Sequence, residues 1–248
     1  MLKIATHNGV FHADEVTAIA LLNIFVDDVD IVRVEHNHTD FNSFDMVIDI
    51  GKKLDYKKYF DHHQYKGGKS SAGLIWEYIG FKKEYKDISQ LVKMVDEQDT
   101  GVKKAKPFEY PNLIKCFNQK DIYSKQQDEA FLRAVEFAKV TLNSLKESYE
   151  DKIKAQEIVK NSYLFQNNSS ILELESFTPY WQDYVVEDLP NIKAVVWEDK
   201  EQDKYKIKTV SKKGIFLPQS AKMEFVHSAG FFGVAKSRED MVEYIKSI

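Results

Sequence analysis

The chain has 248 residues, 43% of them hydrophobic and 30% charged, with a formal net charge of -4. That composition excludes a disordered tail and any capture of nucleic acid by the overall field of the protein. A single cysteine, Cys116, excludes an internal disulfide, and no apolar run approaches the ~18–20 residues of a membrane span.

Leu2–Thr6 reads as a strand and Ala13–Val26 as an amphipathic helix, with Asp14 and Glu15 favourably placed in its first turn. Asp30–Glu35, Met46–Gly51 and the shorter Lys58–Asp61 read as further strands. Ser70–Ile79 predicts a helix stopped at Gly80, and Ile88–Asp99 another with Gly101 just past its end. Strands alternating with helices predict an α/β domain whose mostly parallel sheet is flanked by helices. From Ser124 to Lys160 the pattern is purely helical. Phe131, Val135, Ala138, Leu142, Leu145, Tyr149 and Ile153 form one apolar stripe, which is expected to face a core. Ser170–Glu175, Ile192–Glu198, Tyr205–Ser211 and Phe225–Val234 are strand candidates, and Ser237–Asp240 is a capping-box start for a last helix. The expected organisation is an N-terminal α/β domain over 1–123, a connecting helix over 124–160 and a smaller αβ domain over 161–248. With one cysteine, no span and no secretory segment, the expected location is the cytoplasm.

The chemistry is written in histidine and aspartate. His7 follows the first strand, Asp49 closes the third, and Asp61, His62 and His63 close the fourth; His12 and Asp14 open the first helix. In open α/β sheets ligands bind beyond the carboxyl ends of strands, so these side chains are expected to converge. Nitrogen and oxygen donors in this mixture suit Mn²⁺, Fe²⁺, Co²⁺ or Zn²⁺ and are too nitrogen-rich for a dedicated Mg²⁺ or Ca²⁺ cage.

The run FDHHQ resembles the signature of the DHH phosphoesterase superfamily. THNGVFHADE, IVR, VIDIG, YFDHHQ, SSAGLIW, VDEQDTG and FVHSAGFFG occur in the order seen in its Myg-type family of metal-dependent hydrolases. The resemblance implies a catalytic domain over 1–123 and a substrate-binding domain over 161–248. It also implies two divalent ions, Mn²⁺ in the first place. His7, His12 and Asp49 look like the ligands of one ion; Asp14, the bridging Asp49, His62 and Asp99 look like those of the other. His7 either binds its ion directly or orients a ligand, and Asp99 is preferred to Asp96 because it matches the DTG motif. By the same resemblance His63 faces the scissile phosphate and Asp61 orients a ligand histidine. His227, Gly230, Ser70 and Ser71 are expected to bind substrate.

The function this implies is a metal-dependent phosphoesterase, foremost a 3′-to-5′ exonuclease on RNA or short oligonucleotides. A hydrolase of small phosphates such as pyrophosphate or dinucleotides, and a silent metal- or RNA-binding protein, are the alternatives. No protein partner can be read from the sequence. His36 and His38 are expected in a solvated loop, as are Lys103, Lys104 and Lys106, and Cys116 is expected to be a small buried side chain. Trp181 and Trp197 read as core; Phe231 and Phe232, beside His227, are the aromatic candidates for stacking on bases.

Overall fold

Four strands, β1 (Leu2–His7), β2 (Val29–Val34), β3 (Met46–Ile48) and β4 (Tyr59–Phe60), run parallel in the order β2-β1-β3-β4. They belong to a computed structural model that describes residues 1–65, 67–80, 84–211 and 214–248. Because all four strands point the same way, every residue that follows a strand emerges at one edge of the sheet.

Helix α1 (Ala13–Phe25) packs on this sheet and differs from expectation. Every residue from Ala13 to Leu22 is buried, so the helix is central rather than amphipathic, and its Asp14, Glu15 and Thr17 lie inside the protein. Two carboxylates buried in an apolar helix are costly unless a cation or donor meets them. Helices α2 (Ser71–Ile79) and α3 (Lys86–Asp99) follow, with Gly80 in a left-handed cap at φ 81° as its position suggested. A short helix, α4 (Tyr110–Lys115), has Pro111 in its first turn and was not anticipated. The 36-residue α5 (Lys125–Lys160) sends Phe131, Val135, Ala138 and Leu142 into the same core as Ile4, Ile48, Phe60, Ile19 and Ile75.

The described residues form two compact units, Met1–Glu147 and Ser148–Ile248, divided within α5. The predicted apolar stripe does not continue unchanged along that helix: Ile153 is exposed, and Ala155 and Val159 are the buried residues of its last turns.

The second unit contains β5 (Tyr163–Leu164), β6 (Ile171–Glu173), β7 (Ala194–Asp199), β8 (Lys204–Thr209), β9 (Met223–Val226) and β10 (Phe232–Ala235) in the order β5-β6-β7-β8-β10-β9. Among the described residues of this unit only β6 and β7 pair in parallel. Its helices are α6 (Trp181–Asp188), absent from the sequence reading, and α7 (Arg238–Ser247), capped by the Ser237 hydroxyl as predicted. The single strand expected over Phe225–Val234 is instead the hairpin β9–β10. Gly230, at φ 64°, turns the chain, and the His227 amide donates to the Phe232 carbonyl at 2.8 Å. The alternating apolar pattern runs straight through that turn, which concealed it.

Candidate metal centre

The carboxyl ends of β1, β3 and β4 deliver His7, Asp49 and the run Asp61–His63 to one edge of the sheet. The first turn of α1 adds Asp14 and Glu15, and the last residue of α3 adds Asp99. All of these except Glu15 line a cavity of about 1030 Å³.

His7 is fixed by its own backbone. Its Nδ1 lies 2.8 Å from the Asn8 carbonyl, which can only accept, so Nδ1 carries a proton and Nε2 is left as the ligating atom. That Nε2 stands 3.2 Å from Glu15 Oε1 and 3.3 Å from Asp49 Oδ2. The loop after β1 is held just as firmly. The Arg33 guanidinium donates to the His7 and Gly9 carbonyls, Gln127 donates to Gly9, and Asn118 makes paired hydrogen bonds to Phe11.

His62 Nε2 faces three carboxylates: Asp99 at 3.0 Å, Asp14 at 3.4 Å and Asp49 at 3.4 Å. Asp49 is placed between the two histidines by a backbone at φ 58°, a left-handed conformation that costs a non-glycine residue energy. Asp14 receives the Ala72 amide at 2.6 Å, and Asp49 receives the Ser71 hydroxyl at 3.3 Å. Ser70 donates its amide and hydroxyl to Asp96, which turns that carboxylate to the α2 terminus while Asp99 meets His62. Ser70 and Ser71 are therefore buried among carboxylates, and the cavity wall includes neither.

Asp61 departs from its expected partner. It accepts from His63 Nδ1 at 2.8 Å and from the amides of His63 and Lys52, so it orients His63 rather than His62. His63 is half exposed, with Nδ1 turned to Asp61.

The residues fit a divalent cation. Asp14 Oδ2 and His62 Nε2 are buried and have no hydrogen-bond partner among the described residues. Three groups of donors lie within 4.8 Å of one another: His7, His12 and Glu15; Asp49, His62 and His63; and Asp14, His62 and Asp99. The electrostatics agree. Burial opposes charge on His7, yet hydrogen bonds to Asp49 and Glu15 push it up to about 11. Burial likewise opposes charge on His62, and Asp14, Asp49 and Asp99 push it up to about 12. Burial and the neighbouring charge of Asp14 raise Asp49 to about 6. A site that draws protons this strongly has an excess of negative charge, which metal ions would neutralise.

Glu15 escaped the sequence reading because an acidic residue in a first helical turn is ordinarily a surface feature; here it is fully buried and reaches His7. His36 lies in the expected exposed loop, and its ring stacks on His7 at 4.6 Å. Cys116 is exposed rather than buried.

In the second unit, His227 Nδ1 accepts the Ala229 amide and its ring lies 4.3 Å from that of Phe231. Gly230 packs so closely on the Phe216 ring that a Cβ would overlap it. Trp181 and Trp197 are core, whereas Phe231 is 42% exposed. Among the described residues no helix is long and apolar enough to cross a membrane.

Residues 3–220 match the MYG1 exonuclease family model, described as an uncharacterised protein family. The MYG1 protein of Saccharomyces cerevisiae is 26% identical over 98% of this chain and 94% of its own length. The MYG1 protein of Chlamydia trachomatis is 37% identical over 64% of this chain and 58% of its own. The human MYG1 exonuclease is 38% identical over a shorter stretch, 32% of this chain and 26% of its own. Among solved structures, Thermus thermophilus RecJ in complex with Mg²⁺ aligns at 12% identity over 99% of this chain and 48% of its own, with a TM-score of 0.30 that by itself defines no common fold. The family match extends over most of the chain and contains every residue of the histidine–carboxylate centre, and the chain belongs to the MYG1 family.

Proposed function

We propose that the protein is a metal-dependent phosphoesterase that removes nucleotides from the 3′ end of RNA or short oligonucleotides. The observation that carries this reading is the meeting of buried Asp14, Glu15 and Asp49 and of partly buried Asp99 with His7 and His62, where Asp14 Oδ2 and His62 Nε2 have no hydrogen-bond partner among the described residues. The exonuclease name of the human relative supports the same substrate class.

Four carboxylates match the charge of two divalent ions. His7, Glu15 and Asp49, with His12 beside them, would hold one; Asp14, Asp49, His62 and Asp99 would hold the other, with Mn²⁺ preferred for this donor set. Such ions would supply an activated water and neutralise charge on the phosphoryl oxygens. The chain's own groups do the rest. Asp61 holds His63 so that its outward nitrogen can donate a charge-assisted hydrogen bond to a phosphate oxygen. Lys52 and Lys115, on the cavity wall, attract the flanking phosphates despite the net charge of -4. In the second unit, His227 and Phe231 are the candidates for binding substrate.

The test is purified protein incubated with Mn²⁺, or with a chelator, and a panel of end-labelled RNA, DNA, dinucleotides and pyrophosphate. Stepwise shortening of RNA from the 3′ end with Mn²⁺ alone is expected. Equal activity in chelator, or cleavage of pyrophosphate only, would refute the proposal.

A further inference from the structure

Where α3 and α4 line the cavity of the histidine–carboxylate centre they carry two amide side chains, Gln98 and Asn112. Both are oriented by one residue outside that wall, Ala105. The Ala105 amide can only donate, so the Gln98 atom that meets it is Oε1. The Ala105 and Lys106 carbonyls can only accept, so the Asn112 atom that meets both, each at 2.9 Å, is Nδ2. These bonds fix the two amides against a flip and occupy opposite ends of them. What remains is a donor, Gln98 Nε2, and an acceptor, Asn112 Oδ1, neither with a hydrogen-bond partner among the described residues. Gln98 directly precedes Asp99, whose carboxylate lies 3.0 Å from His62 Nε2. Lys115, at the end of α4, lines the same cavity, and its ammonium forms no ion pair among the described residues.

From this pair we infer that Gln98 and Asn112 read the ribose 2′-hydroxyl of a nucleotide flanking the scissile phosphate. The inference rests on the phosphoesterase reading and deepens it by naming the residues that choose RNA over DNA. A hydroxyl accepts and donates through one atom, so a single oxygen accepts from Gln98 Nε2 and donates to Asn112 Oδ1. That hydroxyl is also what separates RNA from DNA at a given site. A base edge offers donors and acceptors as well, but on separate atoms and farther from the backbone. The sugar is bonded to the phosphate itself, and Gln98 adjoins Asp99, one of the proposed ion ligands. Lys115 supplies a cation for a neighbouring phosphate. Gln98 and Asn112 are specificity-determining residues on this account.

The test uses full-length protein, Mn²⁺ and RNA pentamers that are either all-ribose or 2′-deoxy at one of the two nucleotides flanking the 3′-terminal linkage. In the wild type one of the two deoxy substitutions is expected to lower kcat/KM about tenfold, the scale of two lost neutral hydrogen bonds. Gln98→Glu keeps an oxygen for the Ala105 amide and removes the free donor, so the ratio of ribose to deoxyribose falls towards one. The ratio is insensitive to any effect of the new charge on the ions, since both substrates meet the same protein. Asn112→Ala lowers the ratio in the same direction; where that variant fails to fold, Gln98→Glu decides. If no RNA is cleaved, fluorescence anisotropy with the same pentamers gives the ratio as Kd. Discrimination that Gln98→Glu then abolishes leaves the pair standing while the nuclease reading fails. Equal use of ribose and deoxyribose by the wild type, a ratio unchanged in Gln98→Glu, or selection among bases in place of sugars refutes the pair.

Discussion

The amide of Ala72, in the first turn of α2, donates to Asp14 at 2.6 Å while the other oxygen of the same carboxylate lies 3.4 Å from His62 Nε2. The helix terminus thus favours the ionised form and aims its vacant lone pairs at His62. Asp14→Asn removes the charge and keeps the shape. In chelator this variant should melt at a lower temperature than the wild type, because the ionised carboxylate that pairs with His62 and receives the Ala72 amide is gone. Added Mn²⁺ should then raise its Tm less than it raises that of the wild type. A variant that is destabilised in chelator yet gains as much from Mn²⁺ as the wild type would contradict the placement of Asp14 at an ion.

Asp49 stands between His7 and His62 on left-handed backbone. Asparagine tolerates that conformation, so Asp49→Asn should fold normally. It should bind less metal and lose activity by at least about 10²-fold, given the several kcal/mol that ions contribute to the transition state. Metal analysis and kcat on RNA check it; wild-type metal content in this variant would exclude a bridging role.

The two adjacent histidines separate cleanly. His62 is directed at three carboxylates, while His63 is tied to Asp61 and half exposed. His62→Ala should lose bound metal. His63→Ala should keep it and lose rate by about 10²-fold or more, the usual scale for a positioned proton donor. Equal loss of metal in both variants would assign His63 to the ion instead.

Metal binding should release protons. In the metal-free protein, burial opposes charge on His7 and His62, but their carboxylate partners hold them at about 11 and about 12. A raised histidine stabilises the fold fully below its ordinary value near 6.5, and that contribution disappears as pH rises through the raised value. The metal-free protein therefore loses this stabilisation progressively from neutral to strongly alkaline pH. An ion must displace the same protons, so Mn²⁺ affinity should climb between pH 6 and 8. Calorimetric titration in buffers of different ionisation enthalpy measures the protons released; an affinity flat across that range would refute the competition.

How much of this was legible follows from where each residue sits. His7, Asp49 and His62 could be found because they end parallel strands, and strand ends converge whatever the helices do. Asp99 could be chosen over Asp96 by motif, and the structure turns Asp96 to Ser70 while bringing Asp99 to His62. Glu15 and His36 were not legible, since burial of a first-turn acid and the stacking of a loop histidine are decided by tertiary packing. Ser70 and Ser71 carried a motif signal, but their donation to carboxylates rather than to the cavity is set by the angle at which α2 meets the sheet. The hairpin at Gly230 was hidden because its apolar alternation matches that of one long strand.

Helix α1 carries Asp14 and Glu15 in surroundings that exclude water. On the proposed reading ions would bind only the chain whose carboxylates have been assembled, so their supply would add directly to the free energy separating folded from unfolded protein. When divalent metal is scarce, a larger fraction of molecules opens, and opened chains are what proteases cut. The abundance of this protein, and not only its turnover number, should track the metal content of the cell that makes it.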